Sequence, residues 1–406
     1  MSEDTPRKFS TTPGTRDVLP PESTRILDVQ SRILERFRMH GFREVITPAL
    51  EYSEVVEEPK LRDASFKLFD PDNQMLLLRP EMTTPIARLV AQRLRNSPPP
   101  HKLSYSLPVY RRAGVGRGQS AEFHQAGVEI VGSTSPAEDA GAIALLVEAL
   151  EGVGLRDFVV VLGQTGFYEG YLRRRAPGDA SELLAALAAK DLVRVEEVSA
   201  SVRDEGIREI PRLVGPATDD SILERAALYA ESDAGVALEN LKEILAHLDA
   251  CGRLGSVMLD LGLIGRHNYY TGAVYEVYAA GLGFTVANGG RYDNLLRRFG
   301  EPLAATGFAV SLERLISVLP DEEPAPLLVL VGDTIEATRV AAHLRSSGVP
   351  VLRLAADISP EAAVEYARSV DATWVCYPAP GGVKLARPGD EFELTPLSGV
   401  AGRVLP

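Results

Sequence analysis

The residues best suited to chemistry lie in one stretch of the chain, YRRAGVGRGQSAEFHQAGVE at positions 110–129. Arg111 stands before a glycine-rich loop, and both guanidinium groups and exposed backbone amides bind anions. Gln125 and Glu129 follow the loop, and such side chains are able to orient a polar ligand and to hold an ammonium group. The stretch is typical of a site for a nucleotide and an amino acid.

The loop within this stretch lacks charges that nucleotide activation requires. Adenylation of an amino acid develops negative charge on the α-phosphate, which several fixed cations and a bound metal must stabilise. Ala113, Gln119 and Ala121 stand where an adenylating site needs such charges. The sequence therefore predicts that binding is retained and activation is lost.

Length, charge and cysteine content bound the class of protein. The 406 residues suffice for two or three domains, and the net charge of −13 disfavours a nucleic-acid binder, because phosphate binding needs clustered Lys and Arg. Cys251 and Cys376 have no spacing typical of a metal site. Neither an apolar N-terminal segment nor a run of 18 apolar residues occurs. We expect a cytoplasmic protein without zinc, secretion signal or membrane span.

Changes in hydrophobic periodicity predict the domain organisation. Residues 1–320 form an α+β core domain, interrupted at about 173–252 by a helical insertion in which strand signals vanish. A proline-rich, acidic linker at 321–326 precedes a small α/β domain at 327–406. In the core, the patterns predict a helix from Glu22 to His40, strands on both sides of the glycine loop, and a helix opened by the capping-box sequence Ser135-Pro136-Ala137-Glu138.

Several further segments join the glycine loop in one constellation, in a fixed order along the chain: PGTRDVLP (13–20), GFREVITPALEYSEV (41–55), LRPEMTTPIAR (78–88), HNYYTGAVYE (267–276), NGGRYDNLL (288–296) and GFAVSLERL (307–315). Together they resemble the catalytic domain of histidyl-tRNA synthetases of class II over about residues 10–320. The resemblance implies an antiparallel sheet with flanking helices and a dimer formed through the segment around Pro48.

The same resemblance implies a histidine pocket over the sheet. Arg111 and Arg314 match two arginines that clamp ATP in the family, so they are candidates for residual nucleotide or anion binding. Considered alone, Glu81 is better explained as a helix cap, the tyrosine pair as half-buried strand residues, and His124 as a core histidine, whereas the motifs in their combined order favour the pocket. The residues that match histidine-binding positions of the family are Glu81, Thr83, Gln125, Glu129, Tyr269 and Tyr270.

Departures from the family pattern indicate that catalysis is lost. The catalytic arginine of the family, five residues before the second tyrosine, aligns with Gly265, and the adjacent Arg266 would point to the other face of a strand. Each well-placed charge contributes about 3 kcal/mol to transition-state stabilisation. The C-terminal domain resembles a shortened anticodon-binding domain, but its seven Lys and Arg against nine Asp and Glu give no basic surplus for tRNA. Its aromatic residues are expected in the core: Tyr366, Trp374, Tyr377 and Phe392.

A synthetase scaffold with a retained pocket and lost ATP chemistry is similar to the ATP phosphoribosyltransferase regulatory subunits of histidine biosynthesis. That resemblance implies a non-catalytic, cytoplasmic protein with no cofactor or metal, assembled in a hetero-oligomer with a short-form catalytic subunit and subject to feedback by L-histidine. Two alternatives stay open. One is a histidyl-tRNA synthetase with degenerate motifs, and the other is a sensing domain associated with tRNA or a kinase.

Overall fold

A computed structural model of the chain describes residues 10–112, 120–265, 269–321 and 325–405. The chain divides into two compact units. The first comprises Ile26–Pro320 with the described residues before Val18, and the second comprises Val18–Arg25 with the described residues from Asp321 onwards. Among the described residues, no helix is both long and apolar enough to cross a membrane.

The first unit contains strands of two to ten residues. They are β1 (Arg43–Glu44), β2 (Leu50–Tyr52), β3 (Lys67–Phe69), β4 (Met75–Leu78), β5 (His101–Tyr110), β6 (Glu122–Val131), β7 (Phe158–Gln164), β8 (Val214–Pro216), β9 (Val257–Asp260), β10 (Ala273–Ala279), β11 (Ala287–Arg291) and β12 (Ala305–Ser311). Nine strands of the described chain form one sheet in the order β1-β5-β6-β12-β11-β10-β7-β9-β8. Its pairs are antiparallel except β1–β5 and β7–β9, which confirms the predicted α+β class with an antiparallel sheet.

Helices cover the sheet and fill the insertion. They are α1 (Glu22–Met39), α2 (Pro59–Ala64), α3 (Thr83–Leu89), α4 (Pro136–Gly152), α5 (Thr165–Arg175), α6 (Ala180–Ala188), α7 (Leu192–Val202), α8 (Gly206–Glu209), α9 (Asp220–Ala227), α10 (Asp233–Ala250) and α11 (Leu312–Ile316). In α1 the buried residues Val29, Ile33 and Phe37 recur at helical spacing, as the sequence predicts.

Two local predictions need correction. The insertion is not purely helical, because β8 pairs antiparallel with β9. Its three residues, Val-Gly-Pro, carry no strand signal, and proline is tolerated there because β8 is an edge strand. The capping box forms only in part. Ser135 Oγ accepts from the Ala137 amide at 3.3 Å, but the Glu138 carboxylate binds Lys102 Nζ at 2.8 Å instead of reaching back.

The sheet separates a large core from the side that carries the candidate site. Along β6, Ala126, Val128 and Ile130 pack in the core that α4 covers. Successive side chains of a strand point to opposite faces. Gln125 and Glu129 therefore face the other side of the sheet, where α3 begins.

The described part of the second unit contains β13 (Leu328–Val331), β14 (Val351–Leu354), β15 (Trp374–Ala379), β16 (Gly382–Ala386) and β17 (Glu393–Thr395), with α12 (Ile335–Ser346), α13 (Pro360–Ser369) and α14 (Leu397–Val404). The strand order is β14-β13-β15-β16-β17, with β13 parallel to both neighbours. The predicted core role of the aromatic residues is confirmed, because Trp374 packs against one apolar cluster and Tyr366, Tyr377 and Phe392 against another.

Candidate functional site

One cavity of about 150 Å³ lies over the sheet between β6, β12 and the start of α3. This volume suits a ligand smaller than the drug-sized molecules that occupy pockets of about 300–1,000 Å³. All eight side chains singled out in the sequence line it. They are Glu81, Thr83, Arg111, Gln125, Glu129, Tyr269, Tyr270 and Arg314.

Glu129 is the most buried of these groups, with 1% of the residue exposed. Thr83 Oγ1 donates a hydrogen bond to its Oε1 at 2.9 Å, and the Tyr292 hydroxyl donates to its Oε2. No described cation forms a salt bridge with it. Burial raises the pKa of Glu129 from 4.5 to about 8, although the hydrogen bonds from Tyr292 and Thr83 lower it. The buried carboxyl group therefore keeps its proton to a higher pH than an exposed glutamate does.

The raised pKa predicts how stability depends on pH. Because the folded-state pKa lies above the unfolded value, the contribution of Glu129 to stability is fully present below about pH 4.5 and is lost as the pH rises through about 8. Glu129→Gln removes the titrating group. From pH 5 to pH 9, the free energy of unfolding of the native chain should fall relative to that of the variant, by on the order of a few kcal/mol. Urea unfolding across this range tests the prediction, which parallel pH profiles would refute.

Gly307 makes room for the Glu129 carboxylate across the sheet. Glu129 pairs with Gly307 on β12, and Gly307 pairs with Gly290 on β11. A Cβ atom at Gly307 would overlap with Glu129 Oε2 and with the backbone oxygen of Val128. The Glu129 carboxylate therefore occupies its buried position only because residue 307 is a glycine.

Glu81 has a structural role in this arrangement. Its carboxylate accepts the backbone N–H of Thr83 at 2.6 Å and that of Thr84 at 3.0 Å, which satisfies the first turn of α3. The helix-cap interpretation is thus confirmed. The same carboxylate also lines the cavity, and its remaining lone pairs are able to accept hydrogen bonds from a ligand.

Tyr269 and Tyr270 form an aromatic wall of the cavity. Their ring centroids lie 5.0 Å apart, and the Tyr269 ring meets the Tyr292 ring edge-on at 5.8 Å. Burial raises the pKa of both hydroxyls. The prediction that this pair lies in a strand is wrong, because β10 begins only at Ala273.

Arg111 and Arg314 contribute two guanidinium groups to the lining. Arg111 Nε donates to the Pro80 carbonyl at 2.8 Å, and its Cζ lies 5.3 Å from the centroid of the Phe123 ring. Arg314 Nη1 donates to the Thr285 carbonyl at 2.9 Å. Burial lowers the pKa of Arg111, and the nearby Glu81 partly offsets this. Both cations are thus fixed in place by backbone oxygens.

The positions that depart from the synthetase pattern lie in different surroundings, and some of them fall outside the described residues. Ala113, Gln119 and Arg266 lie outside the described residues. Ala121 is buried, with 1% exposed, and its amide donates to the Gly14 carbonyl at 2.7 Å. Gly265 follows β9 in a loop, so the argument from a one-residue shift along a strand does not apply to it.

His124 has hydrogen-bond partners within the protein. Glu313 accepts a hydrogen bond from the His124 backbone N–H and contacts Nδ1 of its ring at 3.2 Å, which raises the His124 pKa.

Sequence reasoning missed residues that complete the site. Tyr292 supplies a hydrogen bond to Glu129, and Asn288 lines the cavity beside Tyr270. Both lie in the segment NGGRYDNLL, whose paired glycines were the available signal. Among the residues that the structure covers, no group of three or more His, Cys, Asp or Glu is placed to hold a metal ion.

Comparison with known proteins first identifies the fold class of the chain. The histidyl-tRNA synthetase family model matches residues 14–315. The structure of histidyl-tRNA synthetase from Nostoc sp. PCC 7120 has a TM-score of 0.81 at 22% identity, covering 98% of this chain and 99% of that one. The fold is that of a class II histidyl-tRNA synthetase.

More similar relatives define the family within this class. An ATP phosphoribosyltransferase regulatory subunit from Rubrobacter xylanophilus is 73% identical over 98% of both chains. A structure from Bacillus halodurans C, described as an ATP phosphoribosyltransferase regulatory subunit/histidyl-tRNA synthetase, is 30% identical with a TM-score of 0.82 and covers 93% of this chain and all of that one. The chain belongs to the family of ATP phosphoribosyltransferase regulatory subunits. The prediction of a regulatory rather than a catalytic member of the fold is thereby confirmed.

Proposed function

We propose that this chain activates a short-form ATP phosphoribosyltransferase catalytic subunit and that L-histidine, bound in the cavity, inhibits the complex. The observation that carries the proposal is Glu129, a buried carboxylate that has hydrogen-bond donors but no salt bridge to the described residues. A cationic ligand would pair with the ionised form of this group, which is costly to bury alone and is therefore protonated near neutral pH when no ligand is bound.

Histidine matches the remaining groups of the cavity. Its ammonium and imidazole both carry donors for the carboxylates of Glu129 and Glu81, and Thr83, Gln125 and Tyr270 are able to orient the ring. The guanidinium groups of Arg111 and Arg314 suit the histidine carboxylate or another anion. A site built from buried polar groups rejects analogues that leave those groups unpaired.

Inhibition requires that histidine bind two states of the complex with different affinity. A coupling free energy of about 1–3 kcal/mol is typical, which is a 5- to 150-fold difference in affinity. We propose that the catalytic subunit is active in contact with the unliganded chain, and that histidine favours a less active state.

We also propose that this assembly is cytoplasmic.

Self-association through the segment around Pro48 is part of the proposal. Ile46 is 80% exposed and Tyr52 is 53% exposed, and both are large apolar residues. In the described part of the three-stranded sheet β2-β4-β3, Leu50 and Leu68 share this exposed face with Tyr52. A contiguous apolar face on a small sheet is typical of a protein interface.

The proposal is tested by reconstitution. The chain and the short catalytic subunit are assayed for phosphoribosyl-ATP formation separately and together, and L-histidine is then titrated into the mixture. We expect formation to rise when the chain is added and to fall with histidine. Catalysis that is indifferent to the chain would contradict the regulatory role, and histidine-dependent ATP–pyrophosphate exchange by the chain alone would indicate a synthetase instead.

A further inference from the structure

Two glycines enclose the ring of Tyr270 from opposite edges. A Cβ atom at Gly265 would lie 3.0 Å from Cγ and 3.1 Å from Cε2 of Tyr270, and closer still to Cδ2. A Cβ atom at Gly290 would lie 2.8 Å from Cδ1 and from Cε1. Carbon atoms in contact are ordinarily about 3.5–4.0 Å apart. Neither position therefore accepts a side chain while the ring stays in place.

The backbone next to Tyr270 is fixed as well. The Thr271 amide donates to the Arg291 carbonyl at 2.8 Å, and the Asp293 amide donates to Thr271 Oγ1 at 3.0 Å. These bonds join the loop before β10 to the end of β11. The Tyr269 ring, 5.0 Å away, covers Tyr270 further. A ring displaced at the Gly265 edge cannot move toward Gly290.

We propose that Gly265 is a positioning residue for this cavity, because its missing side chain sets the position of the Tyr270 ring and hence the shape of the cavity. The inference rests on the proposed binding of histidine in this cavity. A side chain at position 265 displaces the ring, and because Tyr270 lines the cavity, this displacement changes the shape of the cavity. Since the cavity holds only about 150 Å³, a small intrusion removes space that the ligand needs.

The test measures L-histidine affinity of the purified full chain by isothermal titration calorimetry. Gly265→Ala should weaken binding at least tenfold. Gly255→Ala is the matched control, because a Cβ atom there meets nothing within 4 Å, and its affinity should match that of the native chain. Equal affinities of the two variants would overturn the inference.

A double-mutant cycle separates an effect through Tyr270 from a general loss of structure. Tyr270→Ala removes the ring, so Gly265→Ala should have little further effect when it is added to this variant. We expect it to change the histidine affinity by less than twofold and the midpoint temperature of thermal unfolding by less than about 1 °C. An undiminished loss in the double variant would contradict the inference even if Gly265→Ala alone folds poorly. If the native chain binds no histidine, the proposed function fails as well, whereas native binding with no effect at Gly265 refutes this inference alone.

Discussion

Replacing Glu129 by glutamine is expected to raise the histidine concentration for half-inhibition about 100-fold or more, with assembly and uninhibited activity unchanged. The substitution preserves the shape of the side chain, and its amide oxygen accepts from one of the hydroxyls of Thr83 and Tyr292 while its amide nitrogen donates to the other, but it removes the charge that a bound cation would pair with. Truncating one partner of a buried, hydrogen-bonded charge pair costs about 2–5 kcal/mol. The measurement is phosphoribosyl-ATP formation by the reconstituted complex at increasing histidine.

Glu276→Gln provides the matched control for this substitution. Glu276 is also a buried glutamate of the sheet, on β10, but it does not line the cavity. Its variant should keep the native response to histidine. Inhibition unchanged in Glu129→Gln would place the regulatory site elsewhere, with the catalytic subunit as the next candidate.

Replacing Arg79 by methionine is expected to lower the free energy of unfolding by about 3 kcal/mol or more and to weaken self-association. Only 2% of Arg79 is exposed, and its guanidinium donates to the carbonyls of Thr47 at 2.7 Å and Pro108 at 2.8 Å. Each hydrogen bond to a charged group contributes about 1.5–3 kcal/mol. Methionine fills the space but leaves these buried oxygens without donors. The segment around Pro48, which Arg79 ties to β5, should then lose its fixed conformation.

Urea unfolding and the molar mass in solution by light scattering measure the two effects. Arg194→Met serves as the control, because Arg194 pairs with Glu182 and Glu197 at the surface, where ion pairs contribute at most about 1 kcal/mol. Equal stability of the two variants would show that the Arg79 hydrogen bonds do not support the segment.

Local sequence patterns predicted most of the elements around the cavity. The alternation in FHQAGVEIV predicts β6 and places Gln125 and Glu129 on one face, and the capping residue Ser135 predicts the start of α4. The position of Glu81 before α3 likewise predicted its bonds to the helix amides. These features depend on neighbours within a few residues, which is why one sequence suffices.

Features that depend on strand register could not be predicted in the same way. Tyr292 reaches Glu129 only because β6, β12 and β11 align Glu129, Gly307 and Gly290 across the sheet. The contact between Gly265 and Tyr270 arises from a loop that was mistaken for a strand. In each case the partners are set by tertiary packing, which overrides local preference.

Titration of the isolated chain with L-histidine tests directly whether the cavity binds histidine. We expect saturable binding at one site per chain, weakened at least 100-fold by Glu129→Gln and unchanged by Glu276→Gln. Absence of binding to the native chain, or equal binding to the Glu129 variant, would contradict the assignment of this cavity as the histidine sensor.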